Sequence, residues 1–202
     1  MTSVTAITTK MISELRARTG AGMMDCKHAL EEAAGDLDKA AELLRAKGAA
    51  KADKRSSRAA AEGLIEAYVH FNNRVAVLIE LNCETDFVAR TEEFRQLAKD
   101  VALHIASARP LAVRVEELPP EVVEREKRIY EAQVAEEKKP DAVKAKIVEG
   151  RLNKFYEEAV LYEQKFVKDE SRTVGDLVKA LTAKTGENVR VRRFVRYELG
   201  GN

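Results

Sequence analysis

Leu64-Ile65-Glu66-Ala67-Tyr68-Val69-His70-Phe71-Asn72-Asn73-Arg74-Val75-Ala76-Val77-Leu78-Ile79-Glu80-Leu81-Asn82 is the stretch that decides the fold. Two runs rich in Val, Ile, Leu and Tyr flank Asn72-Asn73, a pair that tolerates the positive φ of a two-residue hairpin turn, so Leu64 to Phe71 and Arg74 to Asn82 are expected to pair as a hairpin. Leu64 and Tyr68 then share one face with Val75, Val77, Ile79 and Leu81. Ile65, Ala67, Val69 and Phe71 share the other with Ala76 and Leu78. Both faces are apolar. Such a sheet needs cover on both sides, which predicts helices on one and a second copy of the sheet, or a partner protein, on the other.

Downstream of the hairpin, Leu81 to Arg90 reads Leu-Asn-Cys-Glu-Thr-Asp-Phe-Val-Ala-Arg, with an acid and a large aromatic side by side where strand gives way to helix. Junctions of this kind carry function often, because a rigid scaffold presents their side chains to a partner. Phe87 is also in helical phase with Phe94 and Val101, so on pattern alone the core is the favoured place for it. Thr91-Glu92-Glu93 opens a long helix with a capping hydroxyl and two acids, and Phe94, Leu97, Val101 and Ile105 form its apolar stripe. Beyond Pro119-Pro120 lie two highly charged helical stretches broken at Lys139-Pro140. They predict a helical hairpin over 120–158 in which Val122, Ile129 and Val134 pack against Val143, Ile147 and Phe155. Thr173 to Lys184 is a further amphipathic helix closed by Gly186. A last strand follows, with Val189, Val191, Val195, Tyr197 and Leu199 alternating against Arg190, Arg192, Arg196 and Glu198; the apolar set is expected to be buried.

Upstream, the first fifty residues suggest three helices. Ile7, Met11 and Leu15 recur at helical spacing, Gly20 and Gly22 allow a tight turn, and Met24, Ala29, Leu30 and Ala33 mark a second helix. Asp36 caps a third, whose stripe is Leu37, Ala40, Ala41 and Leu44 and whose expected stop is Gly48. Lys51, Lys54, Arg55 and Arg58, offset mainly by Asp53, then mark a basic helical linker. The domain reading is 1–50 as a helical unit, 51–62 as the linker and 63–202 as the core. The order of elements is that of an α+β fold with a small three-stranded antiparallel sheet.

The chain has 202 residues and a formal net charge of +1 from 35 basic and 34 acidic side chains, so no global field would hold it on nucleic acid or an anionic membrane. No apolar run is long enough to span a bilayer, and the opening Met-Thr-Ser-Val-Thr-Ala has no charged n-region followed by an apolar core, which predicts a cytoplasmic protein. Cys26 and Cys83 are expected to be reduced, buried thiols. His28, His70 and His104 are scattered, and no metal site or cofactor is expected. The sequence has no phosphate-cradling loop, no H-E-x-x-H and no G-x-S-x-G, so no catalytic residue is assigned. An action on another protein is the reading left.

Two segments sharpen it. Leu15-Arg16-Ala17-Arg18-Thr19-Gly20-Ala21-Gly22-Met23-Met24-Asp25-Cys26-Lys27 and Glu80-Leu81-Asn82-Cys83-Glu84-Thr85-Asp86-Phe87-Val88-Ala89-Arg90 closely resemble the two signature segments of the bacterial translation elongation factor Ts family. Val191 to Leu199 is similar to that family's last strand, and the length resembles its short form. The resemblance implies a ubiquitin-associated-like N-terminal unit, a dimerisation core, and guanine-nucleotide exchange on elongation factor Tu without bond chemistry. It further implies that Thr85, Asp86, Phe87 and Val88 disturb the Mg2+ environment of that partner, and that Arg16, Met23, Met24 and Lys27 dock on it. From the residues alone, Met24 fits the helix stripe as well as a surface, Met23 reads as exposed, Asp25 stabilises a helix start, and Lys27 is a solvated charge. The competing class is a ribosome- or RNA-associated module that uses the basic linker and the C-terminal arginines, with no exchange activity.

Overall fold

Helix α1 (Thr9–Thr19) starts where the Thr8 hydroxyl accepts the Met11 N–H at 3.3 Å, and stops where Gly20 takes φ +68° and returns its N–H to the Arg16 carbonyl. The computed structural model describes residues 6–201, so most of the opening stretch that bears on a signal sequence, and Asn202, lie outside the described residues. Helix α2 (Met23–Glu32) and helix α3 (Leu37–Arg55) follow, the latter capped by Asp36, whose carboxylate accepts the N–H groups of Asp38 and Lys39. Leu15, Cys26, Ala29, Leu30, Ala33 and Ala40 form the buried centre of this three-helix arrangement.

Met24, which the sequence left between the stripe and the surface, is 61% exposed, and the buried stripe of α2 begins at Cys26. One expectation changes here. Helix α3 does not stop at Gly48 but runs on to Arg55. A Cβ at Gly48 would lie 3.3 Å from that of Ala183, so the glycine serves a close approach of two helices rather than a helix end. A mid-helix glycine costs about 1 kcal/mol relative to alanine, and intimate packing offsets it.

The chain then enters strand β1 (Glu62–Val69) and strand β2 (Val75–Cys83). The His70 N–H bonds the Val75 carbonyl and the ladder ends there, so Phe71 to Arg74 form the turn, two residues longer than expected. Only Asn73 takes positive φ, +56°. Asn72 instead accepts the Arg74 N–H on its side chain, the local bond that asparagine offers a turn. The faces come out as expected: Val77, Ile79 and Leu81 are buried while Ile65, Val69 and Leu78 are exposed.

Helix α4 (Asp86–Ala89) and helix α5 (Glu92–Ala108) come next, and the Thr91 hydroxyl accepts the Phe94 N–H at the start of α5. Phe94, Leu97, Ala98, Val101, Ala102 and Ile105 are its buried stripe. A 3-10 turn (Val115–Glu117) leads to helix α6 (Pro120–Ala135) and helix α7 (Asp141–Ala159), which form the predicted hairpin. Its seam is shifted. Val134 and Val148 are buried, Phe155 packs on the cluster of Ala112, Leu118 and Val160, and Ile129 and Val143 are left exposed. A side chain on a charged helix is buried only where the partner helix is opposite, and the loop fixes that register.

A short hairpin of strand β3 (Lys165–Phe166) and strand β4 (Asp169–Thr173), absent from the sequence reading, precedes helix α8 (Val174–Thr185). Thr173 and Asp176 exchange side-chain-to-backbone bonds at the start of α8, at 3.1 and 3.2 Å, a reciprocal cap. Strand β5 (Arg190–Glu198) completes a sheet of order β1-β2-β5. The fold is α+β with a small antiparallel sheet of three strands. In β5 the expected alternation fails midway. Val191 is buried, Arg192 and Arg193 are both exposed, and beyond them Val195, Tyr197 and Leu199 are exposed while Phe194, Arg196 and Glu198 are partly covered. Two successive outward residues exchange the faces of the strand.

The described chain divides into two compact units. The first gathers the residues up to Gly63 with Asn82–Phe94 and Val178–Arg190; the second gathers Leu64–Leu81, Arg95–Leu177 and the chain from Val191 onward. In the second unit His104 is fully buried, with Nε2 2.9 Å from Gln164 Oε1 and Nδ1 accepting the Val167 N–H at 3.3 Å. Those partners assign the proton to Nε2 of a neutral ring, and burial pulls the histidine pKa below its ordinary value. The described residues contain no helix long and apolar enough to cross a membrane.

Candidate functional site

Phe87 sits in α4, a helix of only four residues, and is 79% exposed. Its helical phase with Phe94 is broken because α4 ends at Ala89 and α5 begins afresh at Glu92, with Arg90 and Thr91 between. Phe94 is fully buried and Phe87 is not, although the two share a residue type and a nominal stripe.

The segment is held from below. Thr85 is the N-cap of α4, and its hydroxyl accepts the Val88 N–H at 3.4 Å. The Cys83 thiol donates to the Thr85 carbonyl at 3.1 Å, and burial first, then the negative charge of Glu187, pushes that thiol up to about 11. It is therefore a protonated donor at neutral pH and a poor nucleophile. Both cysteines are free and buried. Asp86 pairs with Arg90 one turn on at 2.8 Å, a partly exposed ion pair that leaves the carboxylate within reach of solvent. Val88 is half-buried and Ala89 buried, so the helix turns one side inward and offers Phe87 outward.

Glu187 is the residue that the sequence reading missed. Its Oε2 accepts the N–H groups of Glu84 and Thr85 at 3.1 and 3.0 Å, and its Oε1 accepts the Thr85 hydroxyl at 2.6 Å. In the opposite direction Glu84 Oε1 accepts the Asn188 N–H at 2.7 Å. The Asn188 amide donates to the carbonyls of Ser56 and Arg58, and Arg58 lies 3.5 Å from Glu84. Three pieces of chain are thus stitched together under α4. Nothing local announces this, since the partners lie over a hundred residues apart; the only hint is a carboxylate directly after the helix-ending Gly186.

The second group of expected site residues lies on the α1–α2 corner of the same unit. Met23 and Met24 are 60% and 61% exposed, and Arg16 and Lys27 are exposed as well. Lys27 is 3.8 Å from Glu31 on its own helix, while Asp25 in the first turn of α2 pairs with Lys51 at 3.3 Å. The α1–α2 corner and the start of α5 share a neighbour in Lys184. The aliphatic stem of this residue lies where a Cβ on Gly20 would meet it at 3.2 Å, and its ammonium is 2.5 Å from Glu93. Among the described residues no group of three or more His, Cys, Asp or Glu could hold a metal ion.

These features define an α+β protein of which one unit projects apolar side chains from two corners, an arrangement suited to gripping another macromolecule. A family model described as elongation factor TS matches residues 50–201. An elongation factor Ts from Thermosipho melanesiensis is 56% identical over 194 residues, covering 96% of this chain and 99% of that protein. One from Thermotoga maritima is 56% identical over 194 residues, covering 96% of each. The protein of the same name from Carboxydothermus hydrogenoformans is 56% identical over 194 residues and is covered over 89% of its length. The chain belongs to the elongation factor Ts family.

Proposed function

We propose that this protein is a guanine-nucleotide exchange factor that binds elongation factor Tu in its GDP form and hastens GDP release, so that GTP can enter during translation elongation. The observation that carries the reading is Phe87, a large aromatic held out to solvent at 79% exposure by a four-residue helix that is itself braced. An exposed aromatic of that kind costs folding nothing to keep and offers a partner a rigid wedge at low entropic cost. Nucleotide exchange needs no bond-making. A protein that prefers the nucleotide-free form of its partner lowers that partner's affinity for GDP, and GDP lowers affinity for the protein by the same factor. GTPases of the P-loop class hold the diphosphate with backbone amides, a lysine and Mg2+, so a wedge that shifts the elements around the metal loosens the ligand. In this reading Phe87 enters an apolar gap of the partner, Asp86 engages polar groups that support the metal, and Thr85 and Val88 hold the turn in shape. The protein is no enzyme, and it works in the cytoplasm.

Arg16, Met23, Met24 and Lys27 form the second contact in this proposal. Methionine side chains adapt to the surface they meet, and the two cations flank them. The ubiquitin-associated-like description of residues 1–50, the linker at 51–62 and the core at 63–202 belong to the same reading. The exposed sheet face of Ile65, Val69, Leu78, Val195, Tyr197 and Leu199 is the natural seat of a second copy, because a two-fold axis can set one such patch on its twin. Sedimentation equilibrium checks this: the native chain is expected as a dimer and a Tyr197→Glu, Ile65→Glu double variant as a monomer, and a native chain that stays monomeric at high concentration refutes it. A role on RNA is disfavoured by charge pairing. Lys51 faces Asp25, Arg58 faces Glu84, and Arg192 and Arg193 both face Glu80.

The test of the exchange reading is release of fluorescent GDP from elongation factor Tu. Loss of an aromatic hot spot is worth 2 kcal/mol or more, so Phe87→Ala should slow stimulated release about thirtyfold while the protein stays folded. A folded Phe87→Ala protein with the native rate would refute it.

A further inference from the structure

We propose that Glu187 is a positioning residue for exchange: it holds the Thr85 end of α4 so that Phe87 is presented in one orientation before the partner arrives. The inference rests on the exchange reading above and adds to it a residue outside the signature segments. A four-residue helix has almost no stability of its own, because its nucleation cost is met by hardly any internal hydrogen bonds. Something else must fix its direction. At its start the N–H groups of Glu84 and Thr85 and the Thr85 hydroxyl all donate to one carboxylate, that of Glu187, at 3.1, 3.0 and 2.6 Å. Bonds to an ionised acceptor are the stronger kind.

The bonds form a relay. Glu187 Oε1 accepts the hydrogen bond that the Thr85 hydroxyl donates, which leaves the Thr85 oxygen as an acceptor for the Val88 N–H, and Val88 is the neighbour of Phe87. The rotamer of Thr85 is thereby set, and with it the first turn of α4. Glu187 is itself fixed from its own side of the clamp: the Thr185 hydroxyl accepts its N–H at 3.3 Å, Gly186 at φ +77° ends α8, and Asn188 is tied to Glu84, Ser56 and Arg58. Glycine at that positive φ lets the chain turn sharply enough to bring residue 187 under α4. Because Glu187 lies beneath the segment and is only partly exposed, it acts on exchange through Phe87 and not by touching the partner.

A wedge that must be ordered on arrival binds more weakly, in proportion to the fraction of time it already has the competent shape. Glu187→Ala is therefore expected to slow stimulated GDP release about tenfold per folded molecule, through a higher half-saturating concentration of exchange factor. Glu187→Gln keeps one oxygen for the two backbone N–H groups and turns an amide toward the Thr85 hydroxyl, so it should recover to within about threefold of native. The decisive arm is a double-mutant cycle. Placed on Phe87→Ala, Glu187→Ala should have no further effect, since there is no wedge left to orient.

Each outcome decides something. Native exchange by folded Glu187→Ala, or the same tenfold loss in both backgrounds, overturns the positioning role while leaving the exchange reading intact. Native exchange by folded Phe87→Ala instead overturns the exchange reading itself. Should Glu187→Ala fail to fold, Thr85→Val breaks the same relay from its other end, and the cycle with Phe87→Ala is read on that variant by the same criteria.

Discussion

Phe87 and Phe94 are seven residues apart, chemically identical, and predicted to behave oppositely when truncated to alanine. Phe94 is fully buried at the first turn of α5, so Phe94→Ala removes its apolar burial and leaves a cavity, a loss of about 3–5 kcal/mol. Phe87 is 79% exposed, so only about a fifth of the roughly 2–3 kcal/mol available from burying such a ring is at stake, or about 0.5 kcal/mol. Urea titrations followed by far-UV circular dichroism measure both, with an unchanged m-value as the sign that the two variants unfold the same structure. Exchange assays on the same preparations should give the inverse order per folded molecule, a large defect for Phe87→Ala and a small one for Phe94→Ala. A loss above roughly 1.5 kcal/mol for Phe87→Ala would falsify the placement of that ring in solvent. A loss below it for Phe94→Ala would equally contradict the burial of the second ring.

Further outcomes are expected from the same structure. Thr173→Ala removes the hydroxyl half of the reciprocal cap on α8 and should cost about 1 kcal/mol in urea denaturation, whereas Thr173→Ser should be close to neutral. Because burial lowers the folded-state pKa of His104 below the ordinary 6.5, the unfolded chain binds this proton more readily. The associated stability is then fully present above about pH 6.5 and falls as the pH drops below it, and a His104→Gln variant should show a shallower slope across that range. Cys83, with its thiol pushed up to about 11, should resist a disulfide reagent at pH 7 along with Cys26 until denaturant is added; fast labelling of the native protein would mean that the junction opens readily.

Much was legible because the signals are local. The period of two in Leu64 to Leu81, the capping residues Asp36 and Thr91, and Gly20 and Gly186 at helix ends are each read within a few residues, and the helices and strands they imply are present. The apolar faces of the hairpin followed from the pleat alone. An error arose where a residue has two uses: Gly48 reads as a stop but serves close packing against Ala183. Met24, which the pattern allowed on the stripe or on the surface, is exposed. The α6–α7 seam went astray since both helices offer several apolar residues and only the intervening turn sets which of them meet.

By itself, then, the sequence determined most of the elements and their order, which residues share each face of the hairpin, and the family, since propensity, periodicity and motif are properties of neighbours along the chain. Tertiary structure decided which of two phenylalanines is core, where β5 exchanges its faces and what holds α4 in place. Those outcomes depend on groups such as Glu187 and Thr85, 102 residues apart, whose meeting is a consequence of the whole chain having folded.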